Sequence, residues 1–244
     1  MYNSSPLARR RLLDQTRTTK QNRTKKTYLI KFITTNLALV TTLAMLAGCA
    51  SGPNQKGTAT ATALNSSADA VAQTSTSVNG VLTALNNLTF KSQGDLRNQF
   101  DAFSSASRTL DSSVVRLDSR VTALQATAAT YLANWTNQLA LIQNETLRTR
   151  SAERKDEVSG QLSAVTASYA DVKSALLPFT SDLRDIQTFL GTDLTAGGVA
   201  AIKDTVTKTK THAVPLRESL KQLQSSFSSL SAALSPVLPE ASHQ

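Results

Sequence analysis

Apolar positions recur at alternating steps of three and four along most of the chain, in four series. The first runs Ala61, Leu64, Ala68, Val71, Ser75, Val78, Leu82 and Leu85. The second runs from Leu96 through Phe100, Phe103, Ser107, Leu110, Val114, Leu117, Val121, Leu124, Ala128, Tyr131, Trp135 and Gln138 to Ile142. The third takes Val158, Leu162, Val165, Tyr169, Val172, Leu176, Phe179, Leu183, Ile186 and Leu190. The fourth takes Val199, Ile202, Val206, Thr209, Ala213, Leu216, Leu220, Leu223, Phe227, Leu230, Leu234 and Val237. Each places one apolar seam on one helix face.

The spacing predicts helices at 58–88, 94–145, 148–190 and 196–235. Ser92 and Asp95 suggest a capping box for the second, Gly191 a left-handed end for the third, and Thr195 an N-cap for the fourth, which Pro236 and Pro239 stop. Long helices joined by short turns fold as antiparallel neighbours. The expectation is all-α: an elongated, antiparallel, coiled-coil-like four-helix bundle. Pro178 and Pro215 fall inside helices three and four. Because the apolar series continue across both, kinks are expected there and not breaks.

Ahead of the helices lies a different kind of sequence. Residues 1–48 carry nine Lys/Arg against the single Asp14, followed by an apolar stretch from about Phe32 to Leu46. That order reads as an export signal. It ends at Leu46-Ala47-Gly48-Cys49, which resembles the bacterial lipobox, where a peptidase cuts before an acylated cysteine. Cys49 is the only cysteine in 244 residues, so no intramolecular disulfide can form, and its expected role is lipidation. The basic region is long for a signal, and translation from near residue 29 would leave one of ordinary length. Residues 49–57, with Gly52, Pro53 and Gly57, read as a flexible tether, and 240–244 as a tail.

The split also removes one class of partner. The formal charge is +9, but the residues after the leader hold 17 basic and 16 acidic side chains. A nearly neutral chain offers no basic face for nucleic acid. Catalytic chemistry is equally sparse: His212 and His243 are the two histidines, neither with a ligand-spaced neighbour. "RTRSAERKDE" (148–157) is a sign-balanced helix start, spaced for Arg150–Glu153 and Arg154–Glu157 pairs. "GTDLTAGG" (191–198) has no preceding strand and reads as a turn, not a phosphate loop. No catalytic residue, metal site or cofactor is expected, and the chain is not expected to be an enzyme.

One resemblance spans much of the region after the leader. "GDLRNQFDAF", "ANWTNQLALIQNETLRTRSAER" and "LLPFTSDLRDIQTFLGTDLTAGGVAAI" are similar to a family of bacterial envelope proteins, often lipoproteins, known as a domain of unknown function. Trp135, Asn144, Leu147-Arg148 and Ser151 carry the match. The resemblance implies an envelope location and no activity.

These readings lead to a non-catalytic, lipid-anchored structural or interaction module with an envelope protein partner. Ala50 and Ser51 lack the Asp that retains lipoproteins at the inner membrane, so the expected site is the periplasmic face of the outer membrane. The alternative is a periplasmic binder of a hydrophobic ligand such as a lipid. It rests on seams that mix Phe100, Phe103, Phe179 and Phe227 with Ser75, Ser107, Ala128 and Ala213. Helix two, about 20 residues longer than helix one, should overshoot its start by about 30 Å. The turn at 143–150, with Arg148 and Arg150, would then face the membrane. Phe90, Phe189, Leu190 and Leu194 would gather at the far tip as a partner contact.

Overall fold

The computed structural model describes residues 53–90 and 95–235, which are all-α. They comprise α1 (Pro53–Phe90), α2 (Leu96–Leu139), α3 (Glu145–Thr192), α4 (Ala196–Ala201) and α5 (Lys203–Leu234). Neighbours pack in a ring, α1 against α2, α2 against α3, α3 against α5, and α5 back against α1. The closest pairs are two hairpins, α1 with α2 and α3 with α5. Their apolar seams meet along the middle, where Phe103, Phe179 and Phe227 are among the largest fully buried side chains.

The seams of α2, α3 and α5 follow the sequence pattern closely. In α3, Val158, Val165, Tyr169, Val172, Leu176, Phe179, Leu183, Ile186 and Leu190 are all buried, and Leu162 packs partly buried beside them. In α1 the pattern holds on one half of the seam only. Leu64, Val71, Val78 and Leu85 are buried as expected, but Ala61, Ala68, Ser75 and Leu82 are only half-buried. The other half of the seam is Thr60, Ser67, Thr74, Val81 and Leu88, one residue earlier. Hydroxyl groups allow this. Ser67 Oγ donates to Ala63 O at 2.8 Å and lies 3.1 Å from Arg120 O on α2. Thr74 Oγ1 makes the same pair of contacts, 2.8 Å to Ala70 O and 3.4 Å to Ser113 O. Each hydroxyl stays satisfied inside its own helix, and its small size lets the two backbones approach.

The helix ends shift the expected boundaries. α1 already begins at Pro53, so residues 53–57 of the expected tether are helical. Proline is well placed there, since a first-turn N–H has no helical partner to lose. Asp95 caps α2, its carboxylate accepting from Arg97 N at 2.9 Å, whereas Ser92 lies outside the described residues. α2 stops at Leu139 and Asn144 caps α3 by accepting from Leu147 N at 3.0 Å. The corner is therefore 140–144, and Arg148 and Arg150 stand on the first turns of α3, not in a loop. With α1 at 38 residues and α2 at 44, the expected overshoot of about 30 Å shrinks to about 9 Å.

At the opposite end α3 runs through Gly191 to Thr192, so Gly191 is not the left-handed terminator. Thr195 caps α4 as expected, accepting from Gly198 N at 3.1 Å. The turn is tight enough that a Cβ on Gly198 would lie 2.1 Å from Asp193 O, so only glycine fits there. The expected fourth helix is interrupted at Ile202, where α4 passes into α5, but Val199, Ile202 and Val206 stay buried on one continuous seam. Pro178 and Pro215 lie inside α3 and α5 without breaking either.

Candidate functional site

Three places gather polar or exposed groups outside the apolar seams. The first is the α2–α3 corner. Trp135 Nε1 donates to Ser151 Oγ at 2.9 Å, Asn144 caps α3, and Arg148 reaches both Ile142 O at 3.4 Å and the Glu145 carboxylate. Trp135 also stands 5.5 Å from Tyr131, ring centre to ring centre. The residues that carry the family resemblance thus build one corner. Their side chains hold the turn through contacts to one another and to the backbone. Beyond the corner, Leu141 is 68% exposed and Leu147 60%.

The second place is a polar cluster around one buried carboxylate between α3 and α5. Asp182 is 5% exposed, and His212 Nδ1 lies 2.7 Å from its Oδ2, with Lys208 Nζ 3.6 Å from its Oδ1. His212 stood in the sequence without a neighbour; its partner is 30 positions away and becomes adjacent only when α5 folds back. Ser168 and Ser226 meet the same way at 2.8 Å, 14 residues earlier on α3 and 14 later on α5. In that register Pro178 and Pro215 lie within one residue of facing each other. Each proline removes one ladder hydrogen bond. Two weakened turns therefore sit at one level, one turn from the Asp182–His212 contact.

The third is the end formed by the C-termini of α1 and α3. Phe90 is 54% exposed with Lys210 Nζ 4.5 Å from its ring centre, and Phe189 is 43% exposed. Leu194 is partly buried. Leu190, expected to share this tip, is buried in the core, because the seam of α3 reaches it before the helix ends. Thr89, Leu96, Ala196, Val199, Ala200 and Lys203 line one cavity of about 130 Å³, so the two turns do share an end.

Other groups are accounted for structurally. The Tyr169 hydroxyl donates to Asp118 Oδ1 at 2.6 Å. Burial first, then that hydrogen bond and the carboxylate's charge, push its ionisation well above the usual phenol range. Burial also raises Tyr131, with Arg154 opposing. Arg154 pairs with Glu157 as expected, but no Arg150–Glu153 pair forms among the described residues. Grooves of about 590, 440 and 400 Å³ run along the outer α1–α2 seam, floored by small residues such as Ala63, Ala84 and Ser77. They lie outside the four-helix core, where Ser107, Ala128 and Ala213 are themselves buried. Among the described residues, no group of three His, Cys, Asp or Glu could hold a metal ion, and no helix is long and apolar enough to cross a membrane. Cys49 and Leu46, Ala47 and Gly48 lie outside the described residues.

A family model described as protein of unknown function (DUF2959) matches residues 54–238. No curated protein and no solved structure matches the chain. The match begins one residue after α1 does and takes in every described helix.

Proposed function

This chain belongs to the DUF2959 family of proteins of unknown function, and we propose that it is a non-catalytic lipoprotein, acylated at Cys49, that serves as a structural or interaction module in a bacterial envelope. The observation that carries the reading is how closely a lipobox-like sequence adjoins a rigid helix. Only Ala50, Ser51 and Gly52 separate Cys49 from Pro53, the first residue of α1. A lipid on Cys49 would therefore hold the bundle's first turn within about 14 Å of the membrane surface. Two or more acyl chains make such an anchor stable. The absence of Asp after the cysteine favours the outer membrane.

Anchored at the Pro53 end, the bundle would present Phe90, Phe189 and Leu194 at its far end, and these form the docking tip for an envelope protein. Photocrosslinking amino acids at Asp193 and Thr149, in cells, test the assignment. Protein adducts from Asp193 are expected. Protein adducts from Thr149 alone would reverse it, and none from either would reduce the tip to a cap on the core.

A further inference from the structure

Among the described residues, the α2–α3 corner projects past the ends of both α1 and α5 at its end of the bundle. Ser67 lies against Arg120 and Gly57 against Tyr131, which sets Pro53 level with about residue 135. α2 continues to Leu139 and turns at 140–144, so the corner reaches about 8 Å beyond the start of α1. α5 falls shorter still. In the register of Ser168 with Ser226 and Asp182 with His212, Ala233 is level with about residue 161, about 24 Å below the start of α3, and Arg154 reaches down to its carbonyl. Neither α1 nor α5 covers Leu141 or Leu147.

Single exposed leucines need no explanation. These two differ because a capped, hydrogen-bonded corner holds them outward at the end where α1 begins. Two guanidinium groups stand beside them. Arg148 is held by Glu145 and the Ile142 carbonyl, while Arg150 is exposed and makes no ion pair among the described residues. Two outward leucines beside cations suit the boundary between acyl chains and anionic headgroups.

We propose that this corner is a second membrane contact, with Leu141 and Leu147 entering the headgroup boundary of the bilayer and Arg150 lying at phosphate level. The proposal rests on lipidation at Cys49. The anchor brings the corner to the surface, and the corner then fixes the bundle's tilt, which a single point of attachment leaves free.

The test uses the full chain, acylated and reconstituted into vesicles of phosphatidylethanolamine and phosphatidylglycerol at about 3:1, an anionic composition suited to Arg150. Acylation leaves Cys49 closed to thiol reagents, so a polarity-sensitive fluorophore can be placed on Leu141→Cys or, at the far tip, on Asp193→Cys. Brominated lipid should quench the probe at 141 several-fold more than the probe at 193. In a second arm, Leu141→Ser with Leu147→Ser should leave flotation with vesicles intact yet raise trypsin cleavage after Arg150 roughly tenfold, because two leucines no longer hold the corner in the boundary. Equal quenching at the two positions in floating protein overturns the contact and spares the anchor. Shielding of the 141 probe without vesicles, with crosslinked dimers, assigns the corner to a second copy of the chain and overturns it too. Protein that fails to float removes the anchor, and this contact with it.

Discussion

Asp182 on α3 and His212 on α5 meet with Oδ2 and Nδ1 2.7 Å apart, and the carboxylate is buried whereas the imidazole reaches solvent. The asymmetry decides which substitution is costly. Removing the histidine strands a buried carboxylate with one distant lysine; removing the aspartate leaves an imidazole and an ammonium group that water can reach.

His212→Ala should therefore destabilise the bundle by about 2 kcal/mol, the range for a hydrogen bond to a charged group. Asp182→Leu should cost under about 1 kcal/mol, since it replaces the ion with an apolar group and strands nothing. Urea titrations of both variants measure the difference. Equal losses would mean that the cluster contributes by packing and not by charge.

Ser67 Oγ lies 3.1 Å from Arg120 O across the α1–α2 approach, so this position can be probed by size. Ser67→Leu should cost about 1–3 kcal/mol by forcing α1 away from the Arg120 backbone. Ser67→Ala should cost less than 1 kcal/mol, because it removes hydrogen bonds without adding volume. Thermal unfolding distinguishes them. A Leu variant as stable as the parent would show that the two backbones need not be close.

How far the fold was legible follows from these same residues. Seams built of Leu, Val, Ile and Phe announced themselves by spacing, which is why α3 and α5 came out nearly residue for residue. The seam of α1 was half hidden, because hydropathy ranks Thr60, Ser67 and Thr74 as polar while the helix satisfies their hydroxyls internally. Ends were the least legible. Asn144 announces a cap only once the short break at 140–144 is seen, and the series through Gln138 and Ile142 ran over it. The Asp182–His212 cluster had no local signal at all; its members come together only through the α3–α5 register.

The corner makes its own demand. Asn144→Ala should cost about 1 kcal/mol by leaving the Leu147 N–H without its acceptor, and Asn144→Asp should restore the loss. Denaturant unfolding reads both. If Ala and Asp behave alike, the cap is not what holds the start of α3.

Alkali tests the buried phenol. Below about pH 10 the Tyr169 hydroxyl is neutral in the folded and unfolded chains alike, and its contribution is constant. Above that the unfolded chain releases the proton first, since burial and Asp118 hold it on in the fold. The folded state then binds more protons, and stability falls as pH rises. Tyr169→Phe should flatten the decline between about pH 10 and 11.5 while lowering stability at neutral pH by about 1 kcal/mol through the lost hydrogen bond. Parallel alkaline profiles for parent and variant would place the titration elsewhere.

Lipidation at Cys49 is the premise on which membrane attachment, the corner and the tip all depend. Its most direct measurement is metabolic labelling with a fatty-acid probe, read on the parent and on Cys49→Ser, with the same cells fractionated. The parent should take up label and sediment with the outer membrane. Cys49→Ser should do neither. Unchanged labelling and fractionation in the variant would contradict the lipoprotein reading.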